Sequence, residues 1–278
     1  MRVRYSFSSR MTGNIENIRK QRPNFPKMVR NMVRVCDLVL EVLDARFIDK
    51  TRNLEIEHNI NSMGKVLIYV INKIDLVDAE EKKKELKKLG LYPYVLVSCK
   101  KRIGGRELRE RIKIEAKKYK TRRERIQVGV VGYPNTGKSS LINFLTGNNS
   151  AKTAQEAGFT RGLQKIKLTT GILLMDTPGV IPNYEYCDSG NEKIAKNAIV
   201  NARSLHNIKN PDYVIHQIII DYPGVLEKYY GIDSKGDSEI LIETLGRKKF
   251  FLKKGNLVDS DRTSRYIIKE WQEGKISQ

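Results

Sequence analysis

The stretch "RIQVGVVGYPNTGKSSLIN" (125–143) constrains the fold more than any other part of the chain. A run of β-branched residues leads into a loop opened by Gly132 and closed by Gly137-Lys138-Ser139, and helix-forming residues follow. Strand, glycine-rich loop and helix in that order let backbone amides curl around an anion at a helix N-terminus. Gly132 and Gly137 permit the curl, Lys138 can offset β- and γ-phosphate charge, and the Ser139 hydroxyl can ligate Mg2+. Asn135, Thr136, Gly137, Lys138, Ser139 and Ser140 are therefore the expected phosphate-side residues.

A second phosphate-side element follows. "DTPG" (176–179) ends the apolar strand "GILLM". There Asp176 can hold the magnesium through water and the Gly179 amide can meet a γ-phosphate. Between the two lies "EAGFTRG", where Thr160 could close over the nucleotide and offer magnesium another hydroxyl. Lys138, Thr160 and Gly179 are the candidate catalytic groups; Ser139, Thr160 and Asp176 are the candidate magnesium ligands.

The base-reading element stands in an unusual place. "VINKIDLVD" (70–78) carries Asn-Lys-x-Asp after a β-branched run, yet it precedes the phosphate loop. The Asp75 carboxylate can accept from guanine N1–H and from the exocyclic amine, whereas adenine offers neither pattern and would leave the acceptor unpaired. Asn72 can tie this loop to the phosphate loop, and the Lys73 stem can cover the base face. "VSCK" (97–100) ends the next strand and resembles a Ser-Ala-Lys box, whose backbone amide contacts the guanine oxygen, so Ser98 and Cys99 join the base side. The two base-reading stretches keep their usual mutual order and both precede the phosphate loop. A rotated chain order explains this, because a site in space is indifferent to chain order when the old termini can be joined.

Strands alternating with helices through this region imply a doubly wound, mostly parallel α/β sheet. "DLVLEVLDA", "KVLIYVIN", "YVLVS" and "RIQVGVVG" read as strands, and "LQKIKLTTGILLMD" as two strands meeting at a turn. Residues 13–35 look helical but broken by Pro23 and Pro26. After "DTPGVIPNYE" helical spacing takes over, with Ile267, Ile268 and Trp271 on one face. The expected organisation is a basic N-terminal segment (1–35), a rotated nucleotide-binding domain (36–182) and a smaller C-terminal helical domain (183–278). The segment after Asp176 leads straight into that helical domain, so loss of a γ-phosphate at Gly179 is expected to change how residues 183–278 are held.

Charge narrows the partners. The formal net charge is +20. It is concentrated in residues 1–34, in "KKRIGGRELRERIKIEAKKYKTRRER" (100–125) and in "RKKFFLKK" (247–254). Such clusters fit a polyanion, because each Lys or Arg on a phosphate releases condensed counterions. No apolar run approaches the length of a membrane span, the N-terminus lacks a secretory apolar core, and Cys36, Cys99 and Cys187 stand too far apart for a zinc ribbon or a disulfide framework. A reducing cytoplasm is the expected compartment.

On these motifs the chain resembles the circularly permuted GTPases of the YlqF/RbgA (YawG) family, from about residue 24 to the C-terminus. The likeness rests on "DARFIDKTRN" (44–53), "NKID", "SCK", "GYPNTGKSSLIN", "GFT", "DTPG" and the tail "GNLVDSDRTSRYIIKEWQEGKI". It implies GTP and GDP as ligands with Mg2+, and action on the large ribosomal subunit or its precursor with rRNA as partner; a monomer that binds neither membrane nor zinc is expected. The resemblance also implies a K+ role for Asn135, which matches the phosphate-loop asparagine of related potassium-dependent GTPases. The departures are specific. Val180 follows "DTPG", so the water-orienting glutamine of classical GTPases is missing, and "FPKM" (25–28) lacks the histidine that the family carries nearby. His58, His206 and His216 lie elsewhere, so no residue is assigned as general base. The alternative reading is an RNA-binding assembly scaffold that uses GTP as a conformational ligand with negligible turnover.

Overall fold

The computed structural model describes residues 24–118, 125–147, 164–177, 179, 181, 191–203 and 205–276. Six strands form one sheet: β1 (Leu38–Asp44), β2 (Val66–Asn72), β3 (Tyr94–Leu96), β4 (Ile126–Val131), β5 (Gln164–Thr169) and β6 (Ile172–Asp176). Their order is β3-β2-β1-β4-β6-β5, and all neighbours are parallel except β5 against β6. The expected α/β class and the "TTG" turn are therefore both present.

Burial on two faces explains the strand composition. Every residue of β1, "LVLEVLD", is buried, as a central parallel strand covered on both sides must be. Val39, Leu43, Leu67 and Ile71 face one layer with Val29, Met32, Val33, Ile56, Ile60 and Leu86. Leu40, Val42, Ile68, Val70, Val128 and Val130 face the other with Leu108, Ile112, Leu141 and Leu145. Alternate residues along each strand thus serve opposite helix layers, following the period-two pleat.

The layer helices are α1 (Asn24–Val35), α2 (Ile48–Thr51), α3 (Leu54–Ser62), α4 (Ala79–Lys88), α5 (Gly105–Lys118) and α6 (Lys138–Thr146). Asn53 caps α3 by accepting from Ile56 N–H, and Asp78 caps α4 by accepting from Glu80 N–H. Two expectations change at the N-terminus. Pro26 does not break α1, because it sits in the first turn, where the backbone N–H has no helical partner to lose. Val29, Met32 and Val33 lie in the sheet's core, although their sequence grouped them with the basic N-terminal segment. Pro23 falls outside the described residues.

Beyond the sheet come α7 (Asn191–Ile199), α8 (Pro211–Asp221), α9 (Val225–Tyr230), α10 (Ser238–Lys248) and α11 (Ser260–Gln272), with a two-strand hairpin of β7 (Leu252–Lys253) and β8 (Leu257–Val258). Ile267, Ile268 and Trp271 of α11 are buried together with Ile199, Ile215, Ile218 and Leu245. Two sheet-side residues complete this core. Phe47 stacks on Trp271 with ring centroids 6.0 Å apart, and Tyr133 of the glycine-rich loop is fully buried in the same cluster. Among the described residues no helix is long and apolar enough to cross a membrane.

Candidate nucleotide-binding site

Three loops converge at the C-terminal ends of β1, β2, β4 and β6. This is where the strand order turns from the β1–β2–β3 side to the β4–β6 side, the usual place for a ligand in an open parallel sheet. The register sets Asp44 of β1 beside Asn72 of β2, and Val130 of β4 beside Asp176 of β6. Residues far apart in the chain are thereby placed side by side without any loop having to reach.

The phosphate side is built on the start of α6. Gly137 adopts φ +98°, and a Cβ there would fall 2.3 Å from Asn72 Nδ2, so glycine is required both by conformation and by the closeness of the base loop. Lys138 is buried, with its Nζ donating to the Tyr133 carbonyl at 2.6 Å. Burial lowers its pKa to about 8, against the pull of Asp176. Ser139 Oγ lies 3.2 Å from Asp176 Oδ2. The other oxygen, Oδ1, is buried with no hydrogen-bond partner among the described residues, and burial raises the Asp176 carboxyl despite Lys138, Ser139 and the Thr177 amide. A buried ammonium and an orphaned carboxylate oxygen flanking a serine hydroxyl suit a polyphosphate with Mg2+, a hard cation that takes one or two carboxylates plus phosphate oxygens. Thr136 is buried and its hydroxyl donates to the Tyr133 carbonyl, whereas Ser140 is exposed. Thr160 lies outside the described residues.

On the base side, Asn72 holds the two halves together. Its Nδ2 donates to the Thr136 carbonyl at 2.9 Å, and its Oδ1 accepts from the Cys99 amide at 3.3 Å. Cys99 N–H is thus directed at Asn72, not left to the guanine oxygen alone. Ser98 is fully buried. Its hydroxyl donates to Asp75 Oδ1 at 2.5 Å and accepts from Lys101 N–H, so it aims the base-reading carboxylate. Lys73 occupies the left-handed region at φ +65°, and its Nζ reaches back to Asp44 Oδ2 at 2.6 Å.

Asp44 and Arg46 also stand at these loops, although the motifs gave them no role. Asp44 is fully buried and accepts from Lys73 and from Arg46 Nη2 (2.8 Å), Nε (3.0 Å) and the Arg46 backbone N–H. Burial alone would raise its carboxyl, but Lys73 and then Arg46 outweigh that and hold it well below the usual carboxylate range. Arg46 Nη1 also donates to the Trp271 carbonyl at 2.9 Å, in the last turn of α11. A forked guanidinium thereby joins the base loop to the helical unit. The signal was in "DAR", but a charged pair two residues apart says nothing of partners so distant in sequence.

Asn135, at φ +58°, donates its Nδ2 to the Asn201 carbonyl at 2.7 Å, so the phosphate loop also touches the helical unit. Gly179 packs on the same loop: a Cβ there would stand 2.7 Å from Pro134 Cα and 3.1 Å from Lys138 Nζ. His58, His206 and His216 are all exposed.

Comparison with known proteins agrees with this layout. A family described as "50S ribosome-binding GTPase" matches residues 127–228. The chain is 41% identical over 257 residues to the uncharacterized GTP-binding protein MJ1464 of Methanocaldococcus jannaschii, covering 90% of this chain and 65% of that protein. It is 33% identical over 247 residues to nucleolar GTP-binding protein 2 of Pneumocystis carinii, covering 86% and 50%. The chain thus spans between half and two thirds of the length of these relatives. Its fold is shared with GNP-bound YlqF from T. maritima at TM-score 0.62 and 24% identity, covering 91% of this chain and 94% of that one.

Loops and strand order together define a P-loop type of α/β fold in which the stretch carrying Asn-Lys-x-Asp precedes the glycine-rich loop. The chain has the fold of YlqF, is similar in sequence to the GTP-binding protein MJ1464, and is matched over residues 127–228 by the family described as 50S ribosome-binding GTPase.

The buried lysine gives the site a pH signature. With its folded pKa lowered to about 8 from 10.5, Lys138 burdens the unliganded fold fully below that pH. The burden lifts as pH rises through about 8 toward the unfolded value, so this group's contribution to apo stability improves over that window. Nucleotide binding has the opposite slope, because bound phosphate favours the ammonium and must recruit a proton above pH 8. GDP affinity, read by fluorescent-nucleotide titration, is expected to be flat below pH 8 and to weaken by up to about tenfold per pH unit above it. Lys138→Met should bind weakly and lose that slope.

Proposed function

We propose that this protein hydrolyses GTP to GDP and phosphate with Mg2+ and acts in assembly of the large ribosomal subunit, docking there through rRNA. The observation that carries the nucleotide reading is the Asn72 bond to the Thr136 carbonyl, which sets a guanine-selective carboxylate against a phosphate loop. Asp75, oriented by Ser98, reads the base; the Asn135–Ser140 loop and Lys138 hold the phosphates. Ser139 and Asp176 would hold a magnesium ion, which would supply neutralisation of the phosphate charge. The Gly179 amide meets the γ-phosphate, and its closeness to Pro134 lets the loss of that phosphate be felt by the phosphate loop.

Two contacts carry the nucleotide state onward: Asn135 with Asn201, and Arg46 with Trp271. Both place helical-unit backbone on nucleotide-site side chains. Asn135, whose amide nitrogen donates to the Asn201 carbonyl, would be the residue that contributes to K+ binding. The net charge of +20 favours an RNA partner, and the family description "50S ribosome-binding GTPase" and the nucleolar relatives fit that partner.

The test is GTP turnover by the purified chain in KCl and in NaCl, with and without large ribosomal subunits. Stimulation by the subunit, greater in K+ and lost in Asp176→Ala, is the expected result. All three histidines are exposed and no general base is assigned among the described residues, which favours a slow enzyme completed by its partner. Tight GTP binding with no turnover under any condition would instead support a scaffold that uses GTP as a conformational ligand.

A further inference from the structure

The basic stretch "RKKFFLKK" (247–254) contains a residue that folding alone does not explain. Helix α10 ends in a Schellman motif: Phe250 N–H donates to the Arg247 carbonyl and Phe251 N–H to the Gly246 carbonyl. The residue at the left-handed position of that motif is ordinarily glycine. Here it is Phe250, at φ +54°, an outlier for a bulky side chain. Nor does burial compensate, since Phe250 is 82% exposed. The neighbouring Phe251 does the structural work: its ring meets Tyr266 edge-on at 5.5 Å, under the Arg262 guanidinium.

The surroundings of the exposed ring are cationic. Arg247, Lys248 and Lys249 precede it on exposed positions, and Lys253 and Lys254 follow on the β7–β8 hairpin. Glu243 and Asp259 pair with Arg247 and Lys253, but 247–254 itself contains no acidic residue. Leu257, 66% exposed, extends the apolar tip of the hairpin. Strained backbone held by a well-formed cap, an aromatic face in water and lysines on both sides are the components of a stacking platform for an unpaired base.

We propose that Phe250 stacks on an unpaired base of single-stranded RNA while Lys249, Lys253 and Lys254 follow its phosphates. This rests on the RNA-docking reading above and deepens it, naming a looped or single-stranded segment, not a duplex, as the element recognised here. Base faces are available for stacking only where the strand is unpaired.

The experiment compares binding of a short mixed-sequence single-stranded RNA, and of the same sequence as a duplex, by the full chain and by Phe250→Gly. Glycine suits the left-handed position, so Phe250→Gly is expected to melt no lower than the parent. Its affinity for the single strand should nevertheless fall about tenfold, with duplex affinity unchanged. Phe250→Tyr should retain the single-strand affinity, and Lys254→Ser should reduce the salt slope by about one. Parental single-strand affinity in Phe250→Gly overturns the stacking role and assigns the ring to a protein contact. Equal loss for single strand and duplex overturns it too. If the parent binds neither RNA in a salt-dependent way, the RNA-docking reading itself falls, an outcome distinct from indifference at Phe250.

Discussion

Asp75→Asn is expected to weaken GDP binding by on the order of a thousandfold, since two hydrogen bonds to an ionised acceptor are lost at once. It should also improve binding of xanthosine diphosphate. Guanine presents two donors to Asp75; xanthine puts a carbonyl where the exocyclic amine was and suits an amide that can donate. The reason to expect a clean exchange is the support around the carboxylate. Ser98 is fully buried, and its hydroxyl both donates to Asp75 and accepts from Lys101 N–H, so it can equally well serve an amide. Asn72 and Lys73 keep their own partners, Thr136 and Asp44. Paired titrations with fluorescent GDP and XDP measure the exchange. Unchanged GDP affinity would place the base reader elsewhere in the chain.

Gly179→Ala should separate binding from turnover. A Cβ at this position would lie 2.7 Å and 2.8 Å from Pro134 Cα and N, which are backbone or ring atoms that cannot rotate away. The segment carrying Gly179 must therefore lift from the phosphate loop. The α6 N-terminus, Lys138 and the base loop do not depend on that segment, so GDP affinity should stay within a few-fold. Turnover of GTP should fall on the order of a hundredfold or more, the usual consequence of removing one amide donor from developing charge. Measuring GDP affinity and single-turnover hydrolysis side by side decides it; equal losses in both would mean that Gly179 shapes the whole pocket.

The sequence disclosed the sheet and the loops because their signals are local. A β-branched run ending in a glycine loop, or in Asn-Lys-x-Asp, specifies both an element and its chemistry within about ten residues. Asp44 and Arg46 were opaque for the opposite reason. Their partners, Lys73 and the Trp271 carbonyl, are set by tertiary docking, and a backbone carbonyl leaves no trace in residue identity. Phe47 and Tyr133 likewise owe their burial to the helical core that packs on them, which no local pattern marks. At α1, Pro26 was read as a break because first-turn position cannot be judged until the helix start is known.

The position of β4 has a consequence for how the molecule is made. β1 lies between β2 and β4, and every one of its residues is covered in the finished sheet. A nascent chain has made β1, β2 and β3 well before β4 emerges. For several seconds at ordinary rates of synthesis, one edge of this fully buried strand stays bare. In the unrotated order the phosphate strand β4 comes first, and it is β4 whose edge waits for β1. Here the order of synthesis leaves an open seam that a chaperone at the tunnel exit is well placed to guard, and destabilising changes in β4 should show themselves as aggregation during translation before they appear as lost binding.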